Sequence, residues 1–414
     1  MSKTSFPKDF MWGAASSAHQ VEGRNSNSWT AWEETPGRVR DNTRSGMAAD
    51  FWHRYPEDFD LLKQLNLNAY RFSIEWSRVE PKEGQFDENA LSQYAEMLDQ
   101  LHKRGITPMV TLHHFTNPLW LEQRGGWVDS RTPEAFRRFA HRVAERLGTR
   151  VTWWCTLNEP TIELTLGYII GSFPPGRHNY LDFWRARRNM VRAHKLAYLD
   201  IHTLYLNHKL MAPRIGIAHH LVYAEPRNSR NPIDCALAFV FRYLSNQYFI
   251  SRTRSASDYI GVNYYFAKRI FWRFGGPGLI IGEEKLPNLN ESDMGWEVYP
   301  EGLFHICRAL AGERKPIYVT ENGLADATDR LRGWSITQHL VAIERAIEYG
   351  ANVRGYFHWS LTDTFEWENG FMPKFGLIEI DFETQQRTER KSALEYSAIA
   401  KLGDIPESLR EKYS

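Results

Sequence analysis

Cysteine is scarce in this chain of 414 residues: Cys155, Cys235 and Cys307 stand far apart and odd in number. Their spacing fits neither a disulfide framework nor a zinc site, so no metal and no cofactor is expected from them. Long apolar runs are missing as well. No stretch approaches the ~20 apolar residues of a membrane span, and residues 1–10 lack the apolar core of a signal peptide. A cytoplasmic protein without a membrane partner is the expectation. Excess charge of one sign is also absent. The 51 basic and 50 acidic residues leave a net charge of +1, and no long single-sign run occurs, which argues against nucleic acid as a partner.

Nor does any repeat, low-complexity tract or Ser/Gly linker divide the chain. Hydrophobic residues make up 42%, ample for one large core. A barrel often occupies this much sequence as one domain, so residues 1–414 are read as one unit. Aromatics reach 14%, with 15 Trp. Most of that is ordinary packing, yet sugar sites also need flat apolar faces beside hydrogen-bonding groups.

Short β-rich runs alternate with longer amphipathic stretches, the pattern of parallel strands joined by helices. Strands are expected near residues 10–15, 68–74, 107–113, 151–158, 214–219, 258–264, 316–321 and 353–359. Eight is the number that closes a (β/α)₈ TIM barrel, an α/β fold. Helices are clearest at 56–65, 88–104, 133–147 and 336–349. Leu91, Tyr94, Met97, Leu98 and Leu101 fall three and four apart and build one buried stripe. Gly105 then reads as a helix stop.

Two stretches carry the chemistry: Trp154-Cys155-Thr156-Leu157-Asn158-Glu159-Pro160 and Tyr318-Val319-Thr320-Glu321-Asn322-Gly323. Each is a β-branched or aromatic run ending in Asn and Glu and cut off by Pro or Gly, the look of a buried strand whose last side chains emerge at its C-terminal end. In a barrel, catalytic side chains gather at that end. Asn-Glu-Pro alone reads better as a helix cap or turn. Two carboxylates from two strand ends can flank one bond, and retaining glycoside hydrolysis needs such a pair about 5 Å apart. Cys155, four residues before Glu159, reads by alternation as a wall residue.

Thr-Leu-Asn-Glu-Pro and Val-Thr-Glu-Asn-Gly resemble the two signatures of glycoside hydrolase family 1, the β-glucosidase family. The resemblance runs from Phe6 to about Arg390. It implies that Glu159 is the acid/base and Glu321 the nucleophile. Arg71 sits mid-strand, where a buried cation must be paired. Its partner is either a catalytic carboxylate or a structural acid, Glu75 or another, and the resemblance favours Glu321. Adjacent His113 and His114 must point to opposite faces, and the family's sugar-binding His matches His114. Here Phe115-Thr116-Asn117-Pro118 replaces the commoner sequence after it. Gln20, a loop amide on its own reading, matches the residue that grips the non-reducing sugar. Asn158 would bind the 2-hydroxyl, Asn263 closes the sixth run, and Tyr265 rather than Tyr264 would hold the nucleophile. In the aromatic and acidic segment 356–370, Trp359 would be the stacking platform, while Glu366 and Trp367 would bind outer hydroxyls. Phe375 would close one wall.

The resemblance implies a retaining β-glycosidase acting on glucosides or related neutral β-glycosides from the non-reducing end. A transglycosidase would use the same residues, and a catalytically weak sugar-binding barrel is the alternative from another class. One departure stands out. Residues 220–257, between the fifth and sixth strands, are shorter than the family usually carries. One apolar helix face is expected there, on Ile233, Ala236, Leu237, Phe239, Val240, Tyr243, Leu244, Tyr248 and Phe249. It would border a groove or meet a second subunit in a homo-oligomer, unless the stretch 266–296, with Phe271, Trp272 and Phe274, folds over it.

Overall fold

The computed structural model describes residues 6–272, 281–284 and 290–414, with the backbone alone given for 281–284. Eight parallel strands close a barrel: β1 Met11–Ala15, β2 Ala69–Ser73, β3 Thr107–Thr111, β4 Trp153–Asn158, β5 Arg214–His220, β6 Ile260–Asn263, β7 Ile317–Asn322 and β8 Val353–Trp359. Each pairs with the next and β8 closes on β1. All eight expected strands form within one or two residues of their predicted bounds.

Two cores follow from the alternation of side chains along these strands. Outward residues such as Val110, Trp154, Ile217, Val262 and Val319 join the helices in one continuous apolar shell. Inward residues fill the barrel with Ala15, Ala69, Met109, Tyr259, Tyr318, Phe357 and Trp359. The helix Glu88–Lys103 shows how a segment joins the shell. Asp87 caps it by accepting from the Asn89 and Ala90 amides, and the predicted stripe of five apolar residues is buried. Burying each such side chain contributes about 1.5–3 kcal/mol. Gly105, at φ 74°, then turns the chain in the left-handed region.

The longest helix, Tyr180–Asn207, packs against Thr132–Leu147. Its buried side includes Arg187, whose guanidinium lies 3.6 Å from the centre of the Tyr248 ring and donates to the Leu244 carbonyl at 2.5 Å.

Between β5 and β6 the expected helical segment begins at Pro232–Arg242 and ends at Tyr248–Thr253, with one wider turn between them. Outside the barrel, strand Tyr223–Pro226 runs parallel to Ala267–Trp272, which pairs antiparallel with Ile281–Glu284. The helix rests on this small sheet through Leu237, Ala238 and Phe241, against Val222, Ala224, Phe266 and Ile270. The stretch after β6 therefore does fold over part of the shortened region. The expected continuous apolar face is divided. Tyr248 and Phe249 are buried, Leu237 is partly buried, and Ile233, Ala236, Phe239, Val240, Tyr243 and Leu244 remain exposed. Phe274 lies outside the described residues. Among the described residues no helix is long and apolar enough to cross a membrane.

Candidate active site

Both motif strands end irregularly. The pairing register shifts between Cys155 and Asn158 in β4, and between Val319 and Glu321 in β7. Such irregularities re-aim side chains. In strict alternation Glu321 would share the outward face of Val319, and Asn158 that of Trp154. Instead both turn into the barrel mouth. Glu159 follows β4 at φ 41°, a left-handed conformation uncommon outside glycine and characteristic of functional positions. Its amide still donates to Ala218 O at 2.8 Å, and Pro160 then opens a short helix. Gly323 is required after β7, because a Cβ there would lie 1.9 Å from the Trp359 carbonyl oxygen.

Around Glu321 the polar contacts are dense. Arg71 is fully buried in β2 and donates through Nη1 to Glu321 Oε1 and through Nη2 to Asn158 Oδ1 at 2.6 Å. The alternative partner Glu75 is occupied elsewhere, accepting from Ser77 Oγ at 2.7 Å and Thr116 Oγ1 at 3.0 Å. Tyr265 donates its hydroxyl to Glu321 Oε2 at 2.7 Å, while Tyr264 turns away to the Tyr299 carbonyl. Burial pushes the Glu321 carboxyl up to about 7, against the pull of Arg71 and with a further push from the charge of Glu159.

Glu159 is 7% exposed and accepts from Asn263 Nδ2 at 2.7 Å. Thr320 Oγ1 fixes that amide by donating to Asn263 Oδ1 at 2.6 Å. Asn158 Nδ2 faces His114 Nε2 at 3.0 Å. Burial, then the Arg71 cation, holds His114 well below the usual histidine range, so it is neutral. His113 points the other way, edge-on to Trp127 at 5.1 Å and 3.0 Å from Asn117 Oδ1. Cys155 is buried, its thiol raised by burial, and is a wall residue as alternation predicted.

The third group is the sugar-sized end of the mouth. Gln20 sits on the helical turn Ala18–Val21, beyond the strand end where the first run was expected to place it. Its Nε2 donates to Phe365 O at 2.9 Å and to Glu366 Oε1 at 3.2 Å. Glu366 Oε1 also accepts from Trp359 Nε1 at 3.2 Å and from Thr364 Oγ1. Burial raises this carboxyl to about 7 despite those donors. Trp359 and Trp367 both lie nearly parallel to His114, at 5.8 and 6.1 Å.

These groups share one cavity of about 380 Å³. Gln20, His114, Asn158, Glu159, Tyr265, Glu321, Trp359, Glu366, Trp367 and Phe375 line it. Arg71 and Asn263 stand behind, touching the lining residues. The sequence reading missed one side of the cavity, formed by Ile162, His220, Phe241, Lys268, Met294 and Trp296. Of these His220 alone closes a barrel strand, a position that a lone histidine does not announce in the sequence. Among the described residues no group of three His, Cys, Asp or Glu is placed to hold a metal ion.

The model of glycosyl hydrolase family 1 matches residues 2–262 and 251–404. The chain belongs to glycosyl hydrolase family 1. Beta-glucosidase A of Thermotoga maritima is 30% identical over 447 aligned positions, covering 97% of this chain and 99% of the relative. Among solved structures, a beta-glycosidase from Pyrococcus horikoshii superposes with a TM-score of 0.91 at 35% identity, covering 99% of this chain and 97% of its own. A beta-glucosidase from Thermotoga maritima in complex with glucoimidazole gives 0.89 at 28% identity, covering 97% and 99%. Family 1 enzymes are retaining glycoside hydrolases, so membership sets the reaction class as O-glycosyl hydrolysis by a two-step route. The same membership disfavours the silent sugar-binding barrel.

Proposed function

We propose that this family 1 hydrolase cleaves β-glucosides or closely related neutral β-glycosides from the non-reducing end, with Glu321 as nucleophile and Glu159 as acid/base. The observation that carries the assignment is the asymmetry of the two carboxylates. Of the two carboxylates only Glu321 is contacted by Arg71 and by the Tyr265 hydroxyl, a cation and a donor that both favour a carboxylate there. Glu321 then attacks the anomeric carbon as the bond to the leaving oxygen breaks, and Glu159 protonates that oxygen. In the second step Glu159 takes a proton from water, the water oxygen bonds to the anomeric carbon, and the Glu321 ester bond breaks. Asn158 is assigned to the sugar 2-hydroxyl. Trp359 is assigned to the sugar's face, and Gln20, His114, Glu366 and Trp367 to its remaining hydroxyls. Asn263 holds Glu159 in place.

A panel of aryl β-glycosides differing only in the sugar tests this reading. Turnover of the β-glucoside is expected, and failure of every β-glycoside in the panel would refute it. Residues 1–414 are proposed as one barrel domain, shortened at about 220–257. The few free cysteines support a cytoplasmic location. The exposed Ile233, Phe239, Val240 and Tyr243 support self-association, which sedimentation tests.

Glu366 supplies a specificity prediction. A carboxylate that accepts from two neighbouring sugar hydroxyls makes charge-assisted bonds, and it repels a phosphate placed beside it. Glu366→Ser is expected to lower kcat/KM for the neutral glucoside by about a hundredfold, a loss of about 3 kcal/mol in line with bonds to charged groups. The relative rate on the 6-phosphoglucoside should rise. Equal changes on both substrates would remove Glu366 from this role.

A further inference from the structure

His220 ends β5, directly opposite Asn263 in the register with β6, and its ring lines the cavity. The residue is 8% exposed, yet neither ring nitrogen has a hydrogen-bond partner. Buried polar groups are nearly always paired, and one left open asks for an explanation. Nδ1 lies 3.6 Å from Glu159 Oε1, a gap that a small side-chain rotation closes. The ring is held nearly parallel to Tyr265 at 6.3 Å and rests 5.5 Å from Phe266. The groups around it are therefore Glu159 after β4, Asn263 and Tyr265 at the end of β6, and Lys268, which also lines the cavity. Its neighbour His219 is buried too and is pushed down to about 3 by burial, so it brings no charge to this corner.

Glu159 changes charge during the reaction. It enters as the neutral acid and becomes a carboxylate when the leaving oxygen takes its proton. Asn263 supplies one donor to Oε1 at 2.7 Å, and a carboxylate has capacity for several more. We propose that His220 is a positioning residue that donates its Nδ1 hydrogen to the Glu159 carboxylate in the second half of the reaction. Charge-assisted bonds are shorter and about twice as strong as neutral ones, so the 3.6 Å contact tightens only after the proton has left. The open nitrogens of the resting enzyme are then a donor held in reserve for the glycosyl-enzyme. This inference rests on Glu159 being the acid/base.

Trapping with a 2-deoxy-2-fluoro glucoside separates the two steps, because the covalent species forms and is released at measurable rates. In full-length His220→Phe the rate of inactivation is expected to change less than threefold, while reactivation slows about tenfold, because the carboxylate that activates water loses the contact that fixes its orientation. The basic limb of the kcat/KM profile should move to higher pH, since a lost donor favours the neutral acid over the carboxylate. His220→Asn, whose amide can also donate, is expected to recover most of the reactivation rate. Equal losses in both steps with an unmoved basic limb, or an unchanged His220→Phe enzyme, would overturn the proposal. A wild-type enzyme that forms no covalent species would instead count against the two-step assignment itself.

Discussion

Glu321→Gly is expected to lower kcat by roughly four to six orders of magnitude, the scale on which removal of a catalytic nucleophile acts. The variant keeps Arg71, which remains tied to Asn158 at 2.6 Å, and keeps the Tyr265 hydroxyl. Both then face a space that has lost its anion. Azide or formate fits that charge and size. Bound there, the anion attacks the anomeric carbon directly while Glu159 still protonates the leaving oxygen, so one displacement replaces two. The product is the α-glycosyl azide or formate, inverted relative to the substrate. Rescue should be saturable in azide and should be absent with a neutral amine. Product configuration by NMR decides the matter. Unaided activity within a hundredfold of wild type, or a rescued product of β configuration, would remove Glu321 from the nucleophile's place.

Much of this site was legible because buried charge and parallel strands leave strong marks. Arg71 in the middle of a strand demanded a carboxylate, and the choice between Glu321 and Glu75 went to Glu321 because Ser77 and Thr116 already satisfy Glu75. All eight barrel strands were found, since strands buried on both faces read as near-continuous β-branched and aromatic runs. Adjacent histidines with opposite neighbours followed from a period of two. The register shifts before Asn158 and Glu321 were not legible. Alternation alone would have pointed both side chains outward, and it was their place at the strand ends, together with the family motifs, that put them in the mouth. The outer sheet was missed for another reason. Its strands Tyr223–Pro226 and Ala267–Trp272 pair across about forty residues, and such partners have no local signature. The helix Tyr180–Asn207 carries Arg187 in its buried stripe, supported by the Tyr248 ring, so a cation interrupts the period that would have announced it. His220 fell one residue beyond the predicted fifth strand, and a lone histidine carries too little information to be singled out.

Glu159→Gln should separate substrates by their leaving groups. The glutamine keeps the size and still accepts from Asn263, whose Nδ2 lies 2.7 Å from Glu159 Oε1, but it has no proton to give. For cellobiose or an alkyl glucoside the leaving alkoxide is strongly basic, and bond cleavage without protonation is slow. A loss of about 10³–10⁴ in kcat/KM is expected, within the range of general acid catalysis. A 2,4-dinitrophenyl glucoside leaves as a stable phenolate and needs little help, so its kcat/KM should fall less than tenfold. Its second step still needs a base to activate water. The glycosyl-enzyme on Glu321 therefore accumulates, and kcat and KM for this substrate fall together. A burst of dinitrophenol equal to the enzyme concentration would report that species directly. Added azide, which attacks without a base, should relieve the block and yield the β-glycosyl azide, retained because two inversions have occurred. The opposite configuration from the azide product of Glu321→Gly makes the pair of variants a joint test. Similar losses for activated and unactivated leaving groups, or no burst, would show that the proton comes from a residue other than Glu159.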